Sequence, residues 1–137
     1  MKKHSTNYYN CLITIAEDSK ADRGNTPPEK KENKTIAQIQ FHLISNAPLK
    51  YTSDDVLFLT CAEKNAIHES EYTAAREYFF SKGQPCLRTS PLTKTYGWGI
   101  LSDKDGKVKL VDSASILYQE LLADTSIKKI SAMKAKK

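Results

Sequence analysis

Glycine and proline are few in these 137 residues, five of each, and there is one tryptophan. Nothing repeats and no heptad is present, which excludes repeat arrays and coiled coils. No apolar run approaches the roughly 18 residues that a membrane-crossing helix needs. The opening M-K-K-H-S-T-N-Y-Y-N is basic but has no apolar centre, so it does not read as a secretory signal. Cys11, Cys61 and Cys86 stand far apart, with no C-x-x-C pair and no histidine beside them. That pattern argues against a disulfide frame or a zinc site and for reduced thiols in the cytoplasm. The phosphate-binding G-x-x-x-x-G-K-[ST], the dinucleotide G-x-G-x-x-G, the metalloprotease H-E-x-x-H and the hydrolase G-x-S-x-G are all missing. No metal, cofactor or membrane partner is therefore expected.

Acidic residues are absent from the end of the chain. Between positions 127 and 137 lie Lys128, Lys129, Lys134, Lys136 and Lys137 with no acid, and these five lysines account for the whole net charge of +5. The remaining body is balanced, so residues 127–137 read as a solvated basic tail with weak affinity for polyanions at most. Within the body, residues 51–77 hold six acids against two bases, and residues 78–111 hold six bases against two acids. Either the two blocks face each other, or the second forms an anion-attracting face.

The length fits one domain, 1–126, with about two thirds of the unfolded chain's surface buried. Alternation from Tyr8 to Ala16 predicts a first strand. Residues 17–34 are charged and contain Gly24 and Pro27-Pro28, which predicts a mobile loop or a lid. Thr35 caps a helix with Ile36, Ile39, Leu43 and Ile44 on its apolar stripe, and His42 lies off that stripe. Thr52 or Ser53 caps a second helix over Val56 to Asn65, whose positive end suits Asp54 and Asp55. A third helix over Glu69 to Ser81 is expected to stop at Gly83. Gln84 to Thr89 reads as extended, and Ser90-Pro91 opens a helical turn. Two strands, Trp98 to Ser102 and Lys107 to Val111, flank the turn Asp103-Lys104-Asp105-Gly106. Ser113 or Ser115 caps a closing helix. The expected fold is α+β, a small and mostly antiparallel sheet packed against three to four helices.

Residues 79–99 gather three glycines, two prolines, the tryptophan, one cysteine and Arg88. Arg88, Ser90 and Lys94, with the free amides of a helix start, make a candidate anion site. Tyr96 and Trp98 would form its apolar wall. Cys86 near Arg88 is a candidate nucleophile or redox-sensing thiol, because a neighbouring cation favours the thiolate. Phosphatase-type loops place the arginine further downstream, where this chain has Leu92. The leading expectation is a protein that binds a small anionic ligand near residues 84–99. Two alternatives stay open, a thiol-dependent enzyme or redox-responsive protein using Cys86, and a nucleic-acid or protein interaction module using residues 78–111 and the lysine tail.

Y-T-S-D-D-V-L-F at 51–58 and F-F-S-K-G-Q-P-C-L-R-T-S-P-L-T-K-T-Y-G-W-G-I at 79–100 resemble a small bacterial family of unknown function. The resemblance runs from N-Y-Y-N to the closing helix and leaves the lysine tail outside. It implies one compact domain and assigns no activity, cofactor or substrate. The family pattern often has a histidine after G-W-G-I, where this chain has Leu101, and a basic residue where it has Thr95.

Overall fold

A computed structural model describes residues 4–134. Four strands form one mixed sheet, β1 (Cys11–Thr14), β2 (Trp98–Ser102), β3 (Val108–Asp112) and β4 (Lys128–Ser131), in the order β3-β2-β1-β4. Two of the three pairings are antiparallel and β1–β4 is parallel. Five helices complete the α+β domain: α1 (Ile36–Asn46), α2 (Ser53–Lys64), α3 (Tyr72–Phe79), the single turn α4 (Pro91–Lys94) and α5 (Ile116–Ala123).

Strand β1 is central, and this explains its composition. Leu12 and Ile13 point to opposite faces and are both fully buried, because helices cover each side. Ile13, Ile100 and Val108 meet Ala37, Ile44, Val56 and Leu92 on one face. On the other face Leu12 and Val111 meet Tyr118 and Leu121 of α5. Gly99 permits that contact, since a Cβ there would stand 2.8 Å from the Tyr118 ring. The β2–β3 hairpin follows its turn chemistry. Gly106 sits at φ +81°, and the Asp103 carboxylate accepts from the amides of Asp105 and Lys107.

The helix starts obey local rules. The Thr35 hydroxyl accepts from the Gln38 amide. Thr52 and Asp55 form a reciprocal capping box on α2, and Ser115 caps α5. Asp54 has a second task. One of its oxygens accepts from both the amide and the hydroxyl of Thr6, each at 2.7 Å, which fixes the chain just before Tyr8.

Four expectations need correction. As far as residue 134 the basic end is not a frayed tail: Lys128–Ser131 is a strand, the Lys128 amide donates to the Asn10 carbonyl, and the Ala132 amide donates to that of Thr14; residues 135–137 of the expected tail lie outside the described residues. Residues 17–34 have no regular structure but are pinned. The Gly24 amide donates to Asp112, the Asn25 amide to the Tyr96 carbonyl, and the Trp98 indole to the Asn25 carbonyl. The short strand or extended loop expected over Gln84 to Thr89 holds only as a loop to Cys86, because Leu87–Thr89 closes a 3-10 turn. Gly83 does not stop the third helix. That helix ends at Phe79, and the left-handed glycines are Gly97 and Gly106.

Truncation after Ser126 removes β4, bares one side of β1 and exposes the site of Ala132. We expect a loss of at least about 2 kcal/mol in chemical denaturation. Stability within about 0.5 kcal/mol of the full chain would assign β4 no structural role.

Candidate functional site

Segment 84–94 is held by a polar link to α1. Ser90 caps α4 by accepting from the Leu92 amide, while its hydroxyl donates to the Gln40 carboxamide oxygen at 2.6 Å. Both residues are buried, Ser90 at 3% and Gln40 at 2% exposure. Burial of this kind requires partners for every polar atom. Gln38, equally buried, has them: its oxygen accepts from the Lys30 amide and its nitrogen donates to Glu29 and to the Lys30 carbonyl.

Gln40 differs. Its amide nitrogen has no acceptor among the described residues. It is not sealed in, because Ser113 Oγ is the one fully enclosed side-chain polar atom without a partner there. Gln40 borders a groove of about 400 Å³ between α1, α2 and residues 84–91. Leu57, Phe79, Pro85 and Pro91 make most of the wall apolar, and Cys61 and Lys64 stand on the α2 side. Among the described residues no aspartate or glutamate lines the groove. A volume of this size suits a small organic molecule.

Of the five residues expected to bind a ligand, Ser90 alone borders this groove. The Arg88 Nε donates to the Ser131 carbonyl at 2.7 Å, tying the 3-10 turn to the edge of β4. Trp98 packs beside Phe41 with ring centroids 5.7 Å apart and is roofed by Gly24, where a Cβ would come within 2.7 Å of the indole. Tyr96 packs against the main core. Lys94 is half-buried at the end of α4. The two charge blocks form no ion pair with each other among the described residues, and Arg76 pairs with Asp55 inside the acidic block at 2.9 Å. His42 contacts Glu29 at 2.8 Å.

Cys86 lies elsewhere, against the N-terminal segment. Its Sγ is 3.2 Å from the Tyr8 hydroxyl. Burial, and then the hydrogen bond to Cys86, push the Tyr8 pKa up to about 12, with Arg88 pulling the other way. The phenol therefore keeps its proton at neutral pH and can donate it to the sulfur. Burial also raises the Cys11 pKa, opposed by Lys128. Among the described residues, no cluster of three His, Cys, Asp or Glu side chains could hold a metal ion. No described helix is long and apolar enough to cross a membrane.

Sequence reasoning missed Gln40, Leu57 and Lys64. The available signal was A-Q-I-Q at 37–40, two glutamines where the core face of α1 runs. Of the expected stripe, Ile39 and Ile44 are buried and Leu43 packs against the core, whereas Ile36 is 46% exposed and Ala37 and Gln40 are buried in addition.

Residues 3–137 match the model of a family of unknown function, DUF6157, and the chain belongs to that family. The match includes the lysine-rich end, which the resemblance had left outside, and this agrees with the place of β4 in the sheet. No curated protein and no solved structure matches the chain.

Tyr8 yields a pH expectation with a definite sign. Its folded pKa of about 12 exceeds the ordinary 10.0, so the fold favours the neutral phenol. That contribution is complete below pH 10 and is lost as pH rises toward 12. Tyr118, also raised by burial, acts in the same direction. Phenolate absorbance should show an ionisation near pH 12 that is missing from Tyr8→Phe, and that variant should flatten the alkaline fall in stability. An unchanged alkaline limb in that variant would remove Tyr8 from this role.

Proposed function

We propose that this member of DUF6157 binds a small anionic ligand, and that the ligand lies in the groove between α1, α2 and residues 84–91. The observation that carries the reading is buried Gln40 on the wall of that groove, whose amide nitrogen has no acceptor among the described residues. A donor left without an acceptor once a ligand displaces the groove's water costs about 1–3 kcal/mol. A ligand acceptor that meets it recovers this on binding, and one without such an acceptor does not. Lys64 on the rim and the absence of acidic lining favour a negative group. The apolar wall supplies the remaining contact area. This reading assigns binding and no reaction.

The test is a thermal-shift screen of carboxylates, phosphates and nucleotides, with alkylation of Cys61 by iodoacetamide as the readout of location. A true ligand raises Tm, slows Cys61 alkylation and loses about tenfold in affinity in Gln40→Leu. A compound that raises Tm equally in Gln40→Leu and leaves Cys61 unprotected binds elsewhere, and the reading fails.

The 3.2 Å contact between the Tyr8 hydroxyl and Cys86 Sγ, with Arg88 nearby, favours a second reading, a redox-responsive or nucleophilic thiol. It requires Cys86 to react with peroxide or iodoacetamide faster than Cys61, and Arg88→Gln to slow that reaction. If Cys86 is the slower thiol, its bond to Tyr8 is structural.

A further inference from the structure

Lys64 faces two cavities. One is the apolar groove. The other is a polar hollow of about 310 Å³ at the start of α1, lined by Lys31, Asn33, Lys34, Ile39, Glu63 and Lys64. Its three lysines outnumber one carboxylate, and that carboxylate is held by Lys34 at 3.7 Å. The one acid in the 30–35 arc is Glu32, an exposed residue outside the lining. The Lys64 ammonium donates to the Lys34 carbonyl at 3.0 Å, which draws it across the end of α1. The first turn of α1 carries no acidic residue, so the positive end of that helix is not neutralised from within. An apolar trough therefore adjoins a cationic hollow, with one lysine common to both.

We infer that the ligand is a monomeric amphipathic anion, a medium-length apolar chain ending in a carboxylate or phosphate. This rests on the groove reading above and adds the ligand's chemistry and orientation. The chain lies along α2 from Leu57 to Lys64, seven residues or about 10 Å of helix axis. The head group meets Lys31 and Lys64, and an oxygen near the head or along the chain accepts from Gln40. Length matters as well as charge. A short anion lacks the groove contacts, and a long chain overruns the walls of Pro85 and Pro91.

The experiment compares octyl phosphate, octanoate and neutral octanamide, each below the concentration at which it self-associates. The proteins are the full-length parent, Lys31→Gln/Lys64→Gln and Gln40→Leu, with circular dichroism confirming that each variant is folded. Both anions should bind the parent, shield Cys61 from iodoacetamide and bind more tightly at low salt. The double lysine variant should weaken the anions about fivefold or more, while octanamide binding is unchanged. Gln40→Leu should weaken all three. Equal binding of octanamide and the anions, insensitive to the lysines, overturns the amphipathic-anion inference but keeps the groove as a site. No binding by any of the three, with Cys61 unprotected, overturns it at the level of the groove. Binding only to vesicles containing anionic lipid, with no Cys61 protection by the monomers, also overturns it.

Discussion

A hydrogen bond of 2.6 Å, from the Ser90 hydroxyl to the Gln40 carboxamide, joins the 84–94 segment to α1. Both groups are desolvated, so the bond is electrostatically stronger than it would be in water, and losing either partner is costly. The bond also sets the carboxamide's orientation. With the oxygen turned to Ser90, the nitrogen is left for another partner, and both residues border the groove. The cap of α4, the wall made by Pro91 and the open donor are thus one arrangement, because Ser90 takes part in all three.

The sheet gives that arrangement a fixed frame. β1 pairs on both edges and is buried on both faces, so each end of the chain is drawn to it. The N-terminal segment approaches through the bonds of Thr6 to Asp54. The C-terminal segment arrives as β4, and its outer edge is closed in part by Arg88, whose Nε donates to the Ser131 carbonyl while its own carbonyl accepts from the Met133 amide. Arg88 therefore works at a sheet edge, where unpaired carbonyl groups need donors. A guanidinium in a glycine-rich region looked like an anion ligand because the strand that uses it lies 43 residues away.

Local chemistry was the legible part. The Thr35, Thr52 and Ser115 caps, the proline-led turn after Ser90 and the 103–106 hairpin each depend on neighbours within a few residues, and the residue types announce them. Placement was less legible. In I-K-K-I-S-A, the alternation of Ile130 with Ala132 marks a strand face, but the lysines dominate the composition and suggest solvent. Lys128 and Lys129 tolerate the edge position because their stems reach past the sheet to water, and the Lys129 ammonium finds the Asp124 carbonyl. The groove was illegible for another reason. Its walls come from three segments separated by up to about fifty positions, and its decisive atom is defined by a bond it does not make. Gln38 and Gln40 look alike in sequence; only the position of Lys30 and Glu29 distinguishes them.

The arc from Lys30 to Thr35 shows why the cationic hollow is more than a chance gathering of surface lysines. Lys30 is held at one end, where its amide and carbonyl both bond the Gln38 carboxamide. Thr35 is held at the other as the cap of α1. Asn33 between them takes a left-handed backbone, φ 52°, which turns the chain over the helix start. A four-residue span fixed at both ends has little freedom to lose when an anion arrives, so more of the electrostatic attraction survives as affinity. Lys64 is committed in the same direction through the Lys34 carbonyl. The long stretch without secondary structure thus places charge at one end of an apolar trough, and the same stretch roofs Trp98 through Gly24. Both tasks need the backbone to be anchored, and hydrogen bonds with Asp112, Tyr96, Trp98, Gln38 and Lys64 anchor it more firmly than its composition suggests.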